Sequence, residues 1–187
     1  PILTAFFDRL HGIFADMDRQ YAEAAKHYGF HCSGCEDNCC RTRFFHHTYL
    51  EFLYIHAGLN TLDLPRRQAI QSRAAWVCRE TAKAVQKERP VRLMCPLNSD
   101  GLCMLYAYRP MICRLHGISH ELRKPGQNVI HGSGCGMFDR RCSNQSYHKF
   151  DRTPFYFKMA RVEGEFKQAI GLSDRFKMTI AEMIMAE

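Results

Sequence analysis

Long hydrophobic runs are missing from this 187-residue chain. No apolar stretch approaches the roughly 18–20 residues that cross a bilayer as a helix, so no membrane partner is expected. The opening Pro1-Ile2-Leu3-Thr4-Ala5-Phe6-Phe7 has no basic flank and is broken by Asp8 and Arg9, so it does not read as a signal peptide. Paired carboxylates, a nucleophile–base motif and a phosphate loop are also missing. So is a glycine-rich strand–helix turn for a methyl-donor cofactor. These absences favour a binding protein over an enzyme. No internal repeat, low-complexity tract or linker breaks the chain, so residues 1–187 are expected to form one domain.

The formal charge is +7 and the pI about 9.0, which raises the question of nucleic acid. The cysteine spacing does not fit C2H2 fingers, and the aromatics follow helical stripes rather than basic runs. Nucleic acid is therefore not the expected partner.

What is abundant is cysteine, with ten residues. Cys32, Cys35, Cys39 and Cys40 crowd into nine positions, and Gly34 frees the turn between the first two. Cys95, Cys103 and Cys113 follow in a second group, then Cys135 and Cys142. A secreted disulfide scaffold is usually short and loop-rich. This chain is longer and reads as helical, which favours a reducing, cytoplasmic setting.

Thiolates are soft ligands suited to zinc, copper(I) and iron–sulfur clusters. Adjacent Cys39 and Cys40 point different ways, so they serve two metals or one of them bridges. The expected ligand set is Cys32, Cys35, Cys39, Cys40, Cys95, Cys103, Cys113 and Cys135, on two four-sulfur sites or one polynuclear site. Eight bound thiolates on two dications would lower the net charge to about +3. Cys142 and His116 are further candidates, and His31, His46 and His47 lie beside the first cluster. Arg109 and Arg114 flank Cys113 and could compensate charge on bound sulfur. Cys78 sits on a helical apolar stripe and reads as core.

The helices are legible from their period. Residues 2–28 carry Leu3, Phe6, Phe7, Leu10, Phe14 and Met17 on one face, with Gly29 as the C-cap. A shorter helix is expected over 48–57 with Gly58 closing it. The next runs from Pro65 to about Glu88, with Ile70, Ala74, Val77, Cys78, Thr81 and Val85 facing inward. Thr153-Pro154 should open another, ended by Gly171. Ser173 should cap a last helix carrying Phe176, Ile180, Met183 and Ile184. Residues 91–150 lack a long helical period, although a short turn after Arg109-Pro110 and a strand at Val129-Ile130 are expected. The fold class is thus mainly α: four to five helices around an irregular cysteine-rich metal-binding insert, with its motifs within 30–142.

The motifs resemble the zinc- or iron-chelating YkgJ-type cysteine cluster family. Its pattern is C-x2-C-x2-C-C, then C-P-x-L, G-x-C-x-x-Y and R-P-x-x-C-R. Here the matching residues are Cys32, Cys35, Cys39 and Cys40; Cys95-Pro96-Leu97; Gly101, Cys103 and Tyr106; and Arg109-Pro110 with Cys113-Arg114. Cys135 is similar to the family's later cysteine beside glycine. Three residues rather than two separate Cys35 from Cys39, and Leu97 follows Pro96 directly. The resemblance implies zinc or iron, including an iron–sulfur cluster, as cofactor. The expected function is metal binding through a multi-cysteine, polynuclear site, with a structural or metal- or redox-sensing role. A cluster-dependent redox or transferase enzyme is the alternative.

Overall fold

The structure is a computed structural model that describes residues 2–31 and 39–186, with Cys39 described for its backbone alone. The Cys32–Asn38 segment, including Cys32 and Cys35, lies outside the described residues. Helices dominate, as expected. The chain divides into two compact units, Pro1–Cys39 with Met111–Leu172, and Cys40–Pro110 with Ser173–Glu187.

In the first unit, helix α1 (Ile2–His27) buries Leu10, Phe14 and Met17. These are 3–4 residues apart and so share one face. Each such side chain contributes roughly 1.5–3 kcal/mol when removed from water. Gly29, at φ +57°, ends the helix in the left-handed conformation. There the Phe30 N–H donates to the Ala25 carbonyl at 2.9 Å, closing the expected cap.

Two further helices pack on α1. One is α6 (Thr153–Ile170), with Phe155, Met159, Val162 and Phe166 buried and Gly171 as its left-handed cap. The other is the short α4 (Met111–Leu115). Thr153 is the first helical residue rather than the cap, because Asp151 Oδ1 takes its N–H at 2.9 Å. Lys158 donates to Asp16 at 2.8 Å, and that bond is the main cause holding the Asp16 carboxyl down at about 2.

Between α4 and α6 the chain is more regular than its composition suggests. Strands β3 (His120–Arg123) and β4 (Val129–Gly132) form an antiparallel hairpin, and α5 (Gly136–Cys142) follows. Val129-Ile130 is thus a strand, as expected.

The second unit is built on α2 (Tyr49–Leu59), α3 (Leu64–Gln86) and α7 (Ile180–Met185). Thr48 caps α2, and Asp63 caps α3 by accepting from the Arg66 N–H at 2.8 Å. Gly58 does not end α2. It lies inside the helix, where an added Cβ would fall 2.6 Å from the Tyr108 ring. The residue was expected to stop the helix and instead admits an aromatic ring. Helix α3 has a narrower apolar seam than its sequence suggests. Only Ile70 and Ala74 are buried, and Val85 is half exposed.

The last helix begins later than expected. Thr179, not Ser173, is its cap, in a reciprocal pairing with Glu182. Helix α7 is anchored by its approach as well. His46 and Met178 exchange two backbone hydrogen bonds of 2.8 and 3.1 Å, and His56 Nε2 meets the Met183 carbonyl at 2.8 Å. Strands β1 (Asn98–Ser99) and β2 (Leu102–Cys103) form a minimal hairpin on this unit. Leu97 and Leu105, at its two ends, are buried in the same core as Ile70 and Ala74. Among the described residues no helix is long and apolar enough to cross a membrane.

The tight fit at Gly58 predicts that Gly58→Ala destabilises the protein by roughly 1–3 kcal/mol, since a methyl group must displace a packed ring. Urea unfolding monitored by far-UV circular dichroism would register this as a lower midpoint with an unchanged slope.

Candidate functional site

The thiols of the second unit are placed by the need to bury Leu97 and Leu105. Cys95 opens the tight turn that leads into β1, and Cys103 lies in β2 just before the turn that carries Leu105. Both are partly buried and pack against the core. Cys40 lies in a 3-10 turn, Cys39–Arg41, and its carbonyl accepts the Cys95 N–H at 2.8 Å. The Cys95 carbonyl in turn accepts from Asn98 at 3.0 Å, and Asn98 pairs with Cys103 across the hairpin. One run of backbone hydrogen bonds thus links three cysteines.

Burial governs their ionisation. It pushes the Cys95 thiol up to about 12, partly offset by an N–H bond from Leu97. The nearby Cys40 and Cys103 thiols raise it further, and Arg73 opposes them. Cys103 is raised for the same first reason, while the Leu105 N–H and then Arg109 pull it down. Arg109 also lies over the Tyr106 ring at 3.6 Å and donates to the Tyr106 carbonyl.

The remaining candidates are distributed as follows. Cys113 is half-buried on α4. Cys135 caps α5, where its Sγ accepts the Phe138 N–H at 3.5 Å. Cys142 is buried and donates to the Tyr28 carbonyl at 3.9 Å. Cys78, half-buried on α3, packs against the core, and burial raises its thiol. Arg114, expected beside bound sulfur, is instead buried against the Phe14 ring at 4.3 Å and pairs with Asp18 at 2.5 Å. His116 follows α4 and donates its backbone N–H to Ile112. His31 and His47 are exposed. His46 is buried, its Nε2 has no hydrogen-bond partner, and burial holds its imidazole down at about 4.

This placement corrects the metal-chelating function. Among the described residues no group of three or more Cys, His, Asp and Glu side chains is arranged to hold a metal ion. The reading of a zinc- or iron-binding protein with a polynuclear cysteine site, and of a cluster-dependent enzyme, is overturned on that finding. The physical reason lies in the local packing. Cys135 Sγ is turned to cap α5, Cys142 is buried against the Tyr28 carbonyl, and Cys95 and Cys103 pack against the core.

Residues that the sequence did not single out include Arg66 and Arg73 on α3. Arg73 Nε donates to the Pro96 carbonyl at 2.9 Å and its terminal nitrogen approaches Met104 Sδ at 3.4 Å. Their seven-residue spacing, with Ile70 between them, was the available signal. Arg66, Ser99, Cys103 and Met104 line an open depression of about 340 Å³. No protein-family model, curated protein or solved structure matches the chain.

The buried His46 carries a pH prediction. Its folded pKa, about 4, lies below its ordinary 6.5. Its contribution to stability is therefore complete above pH 6.5, shrinks as the pH falls through that window, and is lost below about 4. The loss amounts to roughly 3 kcal/mol. Equilibrium unfolding at stepped pH should show this decline, and His46→Leu should flatten it. A residual slope belongs to His120, which burial and then Arg152 hold down at about 4.

Proposed function

We propose that this protein is a metal-free thiol–disulfide switch in which Cys40 and Cys95 form a reversible disulfide. The reading rests chiefly on the 2.8 Å hydrogen bond from the Cys95 N–H to the Cys40 carbonyl. That bond brings the two backbones together, and the Cys40 thiol lies near enough to Cys95 to raise it, the proximity that a disulfide, with Cα atoms about 4.4–6.8 Å apart, requires. Both residues are thiols, not disulfides.

The oxidant is a low-molecular-weight disulfide. The half-buried Cys40, as thiolate, attacks one of its sulfurs and releases one thiolate. The Cys95 thiolate then attacks Cys40 Sγ and releases the second. Two protein thiols lose two electrons and two protons, and one external disulfide becomes two thiols.

Burial of Cys95 shapes both directions of the reaction. A thiol held near 12 is rarely thiolate at neutral pH, so closure is slow. A thiol of high pKa is also a poor leaving group, so the finished disulfide resists reduction. The switch is therefore slow and persistent. Closing a loop of roughly 55 residues stabilises the fold by up to about 4 kcal/mol in the chain-entropy account.

Incubation with oxidised glutathione followed by peptide mass mapping tests the reading. A Cys40–Cys95 peptide pair should form, and its rate should rise about tenfold per pH unit from pH 7 to 10, because the Cys95 thiolate fraction does so. Cys95→Ser should stop at a mixed disulfide on Cys40. Oxidised protein in which Cys40 and Cys95 remain unlinked would sink the idea.

A further inference from the structure

The thiol switch needs Cys95 as thiolate, and burial works against that. Arg73, on α3, is placed to oppose it. Its Nε donates to the Pro96 carbonyl at 2.9 Å, and its terminal nitrogen approaches Met104 Sδ at 3.4 Å. Pro96 follows Cys95 in the chain, and Met104 follows Cys103. One guanidinium thus grips the chain at both ends of the β1–β2 hairpin, each time next to a thiol. Met104 also donates its N–H to the Leu97 carbonyl at 2.8 Å, which keeps the two ends together.

The hold on Pro96 matters most. The Pro96 carbonyl and the Leu97 N–H belong to one planar peptide unit and point in opposite directions. That Leu97 N–H bonds the Cys95 sulfur and draws its pKa down. Fixing the carbonyl therefore fixes the direction of the N–H. A carbonyl that accepts from a charged donor also polarises its own amide, which strengthens the bond that the N–H makes. Such a donor favours thiolate over thiol. The Asn98 N–H donates to the Cys95 carbonyl at 3.0 Å, so the turn over 95–98 is closed around the same peptide unit.

Charge adds to direction. Both partners of Arg73 are uncharged, and among the described residues no carboxylate pairs with it. Its positive charge acts on Cys95 against burial. Cys103 answers to a different cation, Arg109, which lies over the Tyr106 ring and donates to the Tyr106 carbonyl.

We propose that Arg73 is a positioning residue for Cys95: by holding the Pro96 carbonyl it aims the Leu97 N–H at Cys95 Sγ and so governs how readily that sulfur attacks. The inference deepens the Cys40–Cys95 reading and rests on it for its role, but its test needs no disulfide.

Iodoacetamide alkylates thiolates, and peptide mass mapping reads each cysteine separately. On the intact, reduced protein at fixed pH, Arg73→Gln should slow alkylation of Cys95 about three- to tenfold and leave Cys103 unchanged. About tenfold is the thiolate lost per unit rise in pKa, and the greater intrinsic reactivity of a more basic sulfur returns part of it. Arg73→Met, which keeps the apolar stem, should do the same. Arg73→Lys, which keeps a charged donor for the carbonyl, should restore most of the rate. A merely structural side chain gives the opposite sign, because its loss loosens the hairpin, hydrates Cys95 and speeds alkylation. Faster or unchanged alkylation of Cys95 in the two neutral variants, or equal slowing of Cys95 and Cys103, would overturn the proposal. If the alkylation pattern holds while oxidised glutathione links no Cys40–Cys95 pair, the switch fails and the effect of Arg73 on Cys95 stands.

Discussion

Burial of Leu97 and Leu105 against the narrow seam of α3 is the constraint on which the second unit depends. Ile70 and Ala74 are the only residues of that helix fully withdrawn from water. The hairpin segment must therefore lie along a strip two side chains wide. Once it does, the turns that carry Leu97 and Leu105 set Cys95 and Cys103, each two residues earlier, against the same core. The same placement brings the Pro96 carbonyl within reach of Arg73. Thiols and guanidiniums are thus neighbours because one apolar contact fixes both.

That contact also decides what the thiols can do. Desolvation is the largest influence on Cys95 and Cys103, and it acts upward. Amide donors from Leu97 and Leu105 and the charges of Arg73 and Arg109 act downward. The balance leaves both thiols protonated at neutral pH, which suits slow exchange and persistent oxidation rather than rapid turnover. A cysteine-rich sequence suggests soft-metal chemistry because it shows how many sulfurs there are. It does not show their protonation or whether they converge.

Much of the helical framework was legible because period and punctuation agreed. In α1 the apolar spacing, the amphipathic face and Gly29 all pointed to one helix, and the ends fell within a residue. The α6 stripe and Gly171 behaved alike. Reading failed where a residue type has two uses. Gly58 serves close packing against Tyr108, not helix termination. Ser173 and Thr179 are both plausible caps in sequence, and the capping box with Glu182 decides for Thr179. Val77, Thr81 and Val85 continue the apolar period of α3, but Val77 is only partly buried and Val85 is half exposed. The site was less legible still. The cysteines could be named, yet whether their side chains converge depends on long-range packing, and among the described residues no group of them is arranged to hold a metal ion.

The basic excess of +7 gains a local meaning from this arrangement. Several arginines are neutralised by position. Arg114 has Asp18 and the Phe14 ring, Arg19 has Asp16 and Glu23, and Arg161 has Glu165. Arg67 and Arg73 have neither acid nor aromatic ring among the described residues, and both flank the seam that buries Ile70 and Ala74. A charge held beside an apolar seam by a carbonyl and a thioether is less screened than one in open water. Composition alone does not show which cations are neutralised, while the fold assigns partners to Arg19, Arg114 and Arg161.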